Sequence, residues 1–258
     1  MTETTRPLAV AVVGAGGRMG TQVCQAVEGA GDLHLVAAYD VADALGDLGG
    51  ADVVVEFSVP DASPDNVARC VAQGVHVVVG TTGWDEPRLE RLVDQISLAP
   101  PSRSGTGVGV LVAPNFAIGA VLMMGFAAQA ARFYESVEII ELHHPDKVDA
   151  PSGTAARTAR LVATARADAG LGQVPDATRV DPDGARGARV AGIPVHSVRL
   201  RGLVAHQEVL LGNVGEQLTI RHDSFDRTSF MPGVLEGVRR VGDHPGLTVG
   251  LEHYLGLA

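Results

Sequence analysis

Leu8-Ala-Val-Ala-Val-Val13-Gly14-Ala-Gly-Gly-Arg-Met-Gly20 is the stretch on which the reading of the fold turns. Its first six residues are apolar and mostly β-branched, as in a strand buried on both faces. Glycines follow without a gap, and residues 21–28 then carry a helical pattern. Strand, glycine turn and helix, in that order, are the context that a dinucleotide fingerprint requires. One glycine makes the tight turn, one lets backbone approach a pyrophosphate, and one lets helix pack on strand. The spacing departs from the standard one. Gly14 and Gly16 are in place, but the position five after Gly14 is Met19, and glycines recur at 14, 17 and 20. Taken alone, the loop is also compatible with a plain glycine turn.

Working outward, Leu33-His-Leu-Val-Ala-Ala-Tyr-Asp40 reads as a second strand ending in a carboxylate. Asp40 stands where the ribose-binding acid of such a fold belongs. No base follows it directly (Val41, Ala42), and Arg18 in the glycine loop is the candidate partner for a 2′-phosphate. These residues leave NADH and NADPH both open. Further short apolar runs at 52–57, 75–80 and 108–113 alternate with helical patterns. Ser63 is expected to cap a helix with Pro64 at its first position, and Asp85 with Pro87 opens another. The second crossover, 41–51, is too short for a full helix with its loops. The result is an open parallel α/β sheet, which binds ligands beyond the carboxyl ends of its strands. Gly14, Ala15, Gly16, Gly17, Arg18, Met19, Asp40, Phe57, Ser58, Gly80, Thr81, Thr82, Ala113, Pro114, Asn115 and Phe116 all fall on that edge. His34 and His76 lie inside strands and read as structural.

Composition bounds the function. The chain has 258 residues and a net charge of −10, with 4% aromatics. A nucleic-acid partner needs a basic face or stacking platforms, so none is expected. Two cysteines, Cys24 and Cys70, make neither a disulfide framework nor a zinc site, and no metal is expected. The longest apolar stretch, 117–128, is too short to span a bilayer. The N-terminus does not resemble a signal peptide, so the expectation is a cytoplasmic protein without a membrane partner. Of 20 basic residues only Lys147 is a lysine. Arginine cannot release a proton near neutral pH and a buried lysine can, so Lys147 is a candidate for proton chemistry, with chance as the other reading.

The second half begins with an apolar helix at 118–132 and an alternating strand at 136–142. Then comes the densest polar cluster: His143-His-Pro-Asp-Lys147-Val-Asp149-Ala-Pro-Ser152-Gly153-Thr154. A helix follows at 155–166, with Ser152 or Thr154 as its cap. Imidazoles and a tuned lysine are common proton donors near neutral pH, and a helix start favours a carboxylate. Residues 170–192 read as a long loop. Strands are expected at 194–201, 203–211 and 216–223, joined by short turns that suggest antiparallel pairing. This second sheet has few large apolar residues for two covered faces, which points to an oligomer interface on one. His196, His206 and His222 read as structural, and Arg227 and Phe230 begin a final helix.

The glycine loop, Gly80-Thr-Thr82, Ala113-Pro-Asn-Phe116 and above all Glu141-Leu-His-His-Pro-Asp-Lys-Val-Asp-Ala-Pro-Ser-Gly-Thr154 closely resemble the 4-hydroxy-tetrahydrodipicolinate reductase (dihydrodipicolinate reductase) family of bacterial lysine and diaminopimelate synthesis. The resemblance runs nearly end to end. It implies a Rossmann-type cofactor domain from residues 1–114 and 229–258. It also implies an α+β substrate and oligomerisation domain, 115–228, whose mixed, largely antiparallel sheet builds a homotetramer. NADH or NADPH contacts carry over to Gly14–Met19, Asp40, Gly80–Thr82, Ala113–Phe116, Arg227 and Phe230. His143 matches the family's proton donor or acceptor and Lys147 its proton donor. His144, Gly153, Thr154 and Ser152 match contacts to the carboxylates of a cyclic imine dicarboxylate. Three departures stand out. Asp146 replaces a third histidine found in many members, so it is expected to pair with Lys147. Val41 and Val59 stand where some members carry bases. Two rivals remain on residues alone: another NAD(P)-dependent dehydrogenase, or a non-catalytic NAD(H) sensor, which the fold would also permit.

Overall fold

Leu8–Val13 forms strand β1, and Gly14 leaves it with a positive φ of 83°. In this computed structural model, residues 6–40, 43, 45, 46, 48 and 50–257 are described. Val41 and Ala42, and with them part of the second crossover, lie outside the described residues. The chain divides into two compact units. One runs up to Phe116 and resumes at Phe230; the other is Ala117–Ser229.

In the first unit β1 is followed by α1 (Arg18–Glu28), β2 (Leu33–Tyr39), β3 (Val53–Glu56), α2 (Ser63–Ala72), β4 (His76–Val79), α3 (Glu86–Ser97) and β5 (Gly109–Val112). The sheet order is β11-β5-β4-β3-β1-β2, where β11 is the late strand Gly246–Val249, and every pairing is parallel. Valine-rich strands suit a sheet covered on both faces. Val77, Val79, Val110 and Val112 pack with Val67 and Val71 of α2 and Leu92 of α3. The alternate residues Val78 and Leu111 approach Gly237, on a helix from the chain's last part. Strand order reverses between β1 and β3, the place where such sheets leave a ligand crevice. The expected cap at Ser63 does not form. Ala62 is the N-cap position without a side-chain bond, and the Ser63 hydroxyl donates to Glu56 Oε2 at 2.6 Å. Glu56 is fully buried at the end of β3, and an unpaired buried carboxylate costs more than a missing cap. Asp85 does cap α3, accepting from the Arg88 amide.

The second unit holds α4 (Ile118–Ala131), β6 (Ser136–His143), α5 (Gly153–Asp168), β7 (Ala188–Val190), β8 (Ile193–Arg199), β9 (Ala205–Asn213) and β10 (Glu216–Ser224). Its sheet order is β10-β9-β6-β8-β7. The pairing is antiparallel except between β6 and β8, which run parallel. Val137, Ile139, Val195, Val209 and Leu211 pack under the small residues of α4 and α5, Ala127, Ala131, Ala155 and Ala159. The opposite face of the sheet, with Ile140, Leu142, Val198 and Leu210, is only half-buried. The region expected as one long loop ends in a strand, β7. Ala191 and Gly192 both take positive φ (49° and 84°) and turn the chain back into β8, as a type I′ hairpin requires. Nor is the helix after Phe230 final. A 3-10 turn over Arg227–Phe230 leads into α6 (Met231–Arg240), and β11 then adds an edge strand beside β5.

Candidate active site

The glycine loop shows why its residues carry no side chains. A Cβ on Gly14 would lie 2.5 Å from the Phe57 carbonyl oxygen, and one on Gly20 would lie 2.0 Å from the Gly14 oxygen. A Cβ on Gly16 would meet the Asp40 carboxylate at 2.0 Å. The roles of turn, close approach and helix–strand packing thus fall on 14, 16 and 20, and Gly17 is the N-cap position of α1. Arg18 and Met19 are already helical, so the loop is shorter than the sequence pattern implies. The loop therefore presents the start of α1, whose amides and dipole suit a pyrophosphate. Asp40 follows β2 directly and lies over Gly16. Asp43 accepts a hydrogen bond from the Asp40 amide at 2.7 Å, so a second carboxylate stands at this end. Gly14, Gly17, Asp40, Asp43, Phe57 and Asn66 line a cavity of about 260 Å³.

The other predicted cofactor residues lie on the same edge. Gly80, Thr81 and Thr82 follow β4, and Ala113, Pro114, Asn115 and Phe116 follow β5. The Phe57 ring packs on Gly80, where a Cβ would come within 2.1 Å, and its centroid is 5.8 Å from that of Phe116. Thr81 Oγ1 is buried with no hydrogen-bond partner. A glycine cradle, a carboxylate at the ribose position and an orphaned hydroxyl beyond β4 all fit a nicotinamide dinucleotide. Arg227 and Phe230 bound the 3-10 turn before α6 and fall in different compact units.

In the second unit the functional segment runs from β6 to α5. Strand alternation turns Val137, Ile139 and Glu141 to the side covered by helices. Glu141 is fully buried, and its oxygens are saturated. Arg199 donates to Oε2 at 2.8 Å and to Oε1 at 2.9 Å, and the Ser152 amide donates to Oε1 at 3.2 Å. His143 Nδ1 lies 2.5 Å from Oε2. Burial alone would push the Glu141 carboxyl up, but hydrogen bonds from His143, Arg199 and Ser197 hold it down at about 2. It is therefore a carboxylate that only accepts, which assigns the Nδ1–H tautomer to neutral His143 and leaves Nε2 for other partners.

Ser152 settles the choice of cap: its Oγ accepts from the Ala155 amide at 3.2 Å, and Gly153 and Thr154 form the first turn of α5. His144 is half-buried one residue beyond the strand. Lys147 does not pair with Asp146 as expected. Its Nζ meets Asp149 at 2.8 Å. A turn closed by the Lys147 amide on the His144 carbonyl carries the chain round, and Asp149 on its far side faces the ammonium. Burial raises the Asp149 carboxyl, and the Lys147 ammonium, a backbone hydrogen bond and Arg199 together more than offset it. Sequence reasoning missed two members of this cluster, Glu141 as a functional carboxylate and Arg199. The one available signal for Glu141 was a charged residue on the apolar phase of an alternating strand. Among the described residues no group of three or more His, Cys, Asp or Glu is arranged to hold a metal ion.

Comparison with known proteins places this geometry in context. Residues 8–116 match the family model described as dihydrodipicolinate reductase, N-terminus, and residues 119–255 match its C-terminus counterpart. The 4-hydroxy-tetrahydrodipicolinate reductase of Cutibacterium acnes is 63% identical over 248 residues, covering 96% of this chain and 98% of that one. That of Streptomyces griseus is 58% identical over 252 residues, covering 97% and 98%. The solved structure of a dipicolinate-bound dihydrodipicolinate reductase from Paenisporosarcina sp. TG-14 is 36% identical. It superposes with a TM-score of 0.80 and covers 96% of this chain and 99% of that one.

Proposed function

The chain belongs to the dihydrodipicolinate reductase family, and on that premise we propose that His143 and Lys147 carry its proton chemistry. The reaction is the nicotinamide-dependent reduction of 4-hydroxy-tetrahydrodipicolinate to tetrahydrodipicolinate with loss of one water, a step of diaminopimelate and lysine synthesis. A bound reduced nicotinamide supplies the hydride. Gly14, Gly16 and Gly17 let backbone approach the pyrophosphate, Asp40 accepts from the ribose hydroxyls, and Thr81 and Ala113–Phe116 line the rest of the cofactor edge, with Arg227 and Phe230 as further contacts.

Loss of the 4-hydroxyl with a proton from C5, as water, leaves a C4=C5 bond conjugated with the imine. Hydride at C4 then pushes electrons to the ring nitrogen, and the resulting enamine needs one proton. His143 or Lys147 provides it. The Lys147 ammonium also offsets the two substrate carboxylates, in a chain whose net charge of −10 repels a dianion. His144, Gly153 and Thr154 hold the carboxylates at the start of α5, with Ser152 fixing that turn. The observation that carries this reading is the saturated, buried Glu141 on His143 Nδ1, eleven residues before the cap of α5 and in the same segment as Lys147.

For the cofactor we favour NADH. Asp40 and Asp43 put two carboxylates at the ribose end, and a 2′-phosphate there meets like charge. We read the protein as cytoplasmic from the place of this reaction in amino-acid synthesis. No helix among the described residues is long and apolar enough to cross a membrane. The uncovered sheet face of the second unit supports association with further copies, and the number four is what the family resemblance implies. The test is loss of nicotinamide absorbance on adding freshly made product of the upstream synthase, run with both cofactors. Turnover with a higher kcat/KM for NADH supports the reading. No turnover with either cofactor overturns the activity, and a preference for NADPH overturns the role given to Asp43.

A further inference from the structure

Glu141 and Arg199 face each other because β6 and β8 run parallel in a fixed register. Ser197 stands opposite Glu141, and Arg199 opposite His143. The Arg199 guanidinium then makes four hydrogen bonds, one of them from Nη1 to the carbonyl of its neighbour Val198 at 2.9 Å. Its two terminal nitrogens hold both oxygens of Glu141, and Nη2 also donates to the Asp149 carbonyl at 2.7 Å. Asp149 in turn holds Lys147 through its carboxylate. One cation thus touches the support of the histidine and the loop that carries the lysine. A buried carboxylate is costly unless fully partnered, and this one has a complete set of partners. Structural ion pairs alone do not require an imidazole as the last partner.

We propose that Glu141 and Arg199 are positioning residues for the reaction. Glu141 holds His143 with Nδ1–H toward itself and Nε2 toward the substrate, and Arg199 locks Glu141 and the Lys147 loop in one arrangement. The proposal rests on the reading of His143 as a proton-transferring group. Carboxylates behind catalytic or metal-bound imidazoles act in this way, by fixing the tautomer and ring orientation. Lysine in place of Arg199 keeps the charge but loses the planar fork, so it cannot serve Glu141 and the Asp149 carbonyl together.

The test uses Glu141→Gln and Arg199→Lys in the full-length protein, each checked for native melting behaviour. Imidazole ¹⁵N shifts of His143 report the tautomer without any need for activity. Wild-type protein is expected to show the Nδ1–H form. Glu141→Gln is expected to lose that preference, because an amide can donate as well as accept. Its kcat is expected to fall roughly 10- to 100-fold, the usual cost of removing an outer partner of a working imidazole, with KM for the imine changed less. Arg199→Lys is expected to keep the Nδ1–H tautomer and still lose kcat. An unchanged tautomer with wild-type kcat in Glu141→Gln overturns the proposal. If Glu141→Gln does not fold, wild-type kcat in Arg199→Lys overturns it instead. A tautomer shift together with full activity of His143→Ala removes His143 from the proton step and overturns positioning for catalysis, leaving Glu141 as a structural partner of the ring.

Discussion

At the scale of single residues, the chemistry depends on which cation is a lysine. Nineteen of the 20 basic residues are arginine, and the exception, itself half-buried, is held by Asp149 in a mostly exposed loop. Lys147→Arg keeps the charge that offsets the substrate but replaces an ammonium proton donor by a guanidinium, which does not give up a proton. The expected outcome is a fall in kcat of more than ~10-fold, within the range for general acid catalysis. Steady-state kinetics at saturating imine decide it, and unchanged kcat assigns the proton to His143 alone. Glu141 makes a second prediction with a definite sign. Its carboxyl sits at about 2 in the folded chain against an ordinary 4.5. A depressed folded value means that the charged form stabilises the fold. That contribution is complete above about 4.5 and is lost as pH falls toward 2. Urea midpoints taken from pH 7 to 3 should therefore drop more steeply for wild type than for Glu141→Gln below about 4.5. Parallel curves would mean that the buried carboxylate adds nothing to acid sensitivity.

At the scale of elements, the start of α5 does two jobs. Ser152 caps the helix through Oγ, and its amide donates to Glu141. Ser152→Ala removes the first bond and keeps the second. The expected cost is about 1 kcal/mol in chemical denaturation, with a raised KM for the imine because the carboxylate-binding turn is looser. A stability loss with unchanged KM confines Ser152 to the cap. The same element shows what sequence spacing can and cannot carry. The strands around the glycine loop, and the helix after Asp85, are legible because valine runs and caps are local signals. Ser63 misleads because its hydroxyl answers Glu56, a residue seven positions back whose burial is invisible in the sequence. Arg199 was out of reach for the same reason: its meeting with Glu141 spans 58 positions and exists only through strand register. Strands β7 and β11, with three and four residues, are too short to show alternation, and the pairing of each beside a longer neighbour creates them.

At the scale of the whole molecule, the second unit leaves one sheet face without a covering layer. Helices α4 and α5 pack on Val137, Ile139, Val195 and Val209, and among the described residues those of opposite phase have no helix over them, with His206, buried at one end beside Phe225, as the exception. That opposite phase mixes apolar side chains, Ile140, Leu142, Val198 and Leu210, with ion pairs. Arg186 and His196 hold Glu138, and Arg221 holds Glu208 and Asp223. Charges paired within one face can enter an interface without leaving an unmatched partner across it, whereas an isolated charge could not. The scarcity of large apolar residues for two covered faces was legible in the sequence, but not which face stays open. Copies that each carry a net charge of −10 repel one another, so association needs that apolar centre. Light scattering on the wild-type protein is expected to give a mass four times the 26.7 kDa of one chain. Leu210→Glu places a new, unpaired carboxylate in the middle of the face, and the species observed should shrink toward the single chain. A wild-type protein running as one 26.7 kDa chain at micromolar concentration would leave the open face as solvent-exposed surface and the tetramer without support.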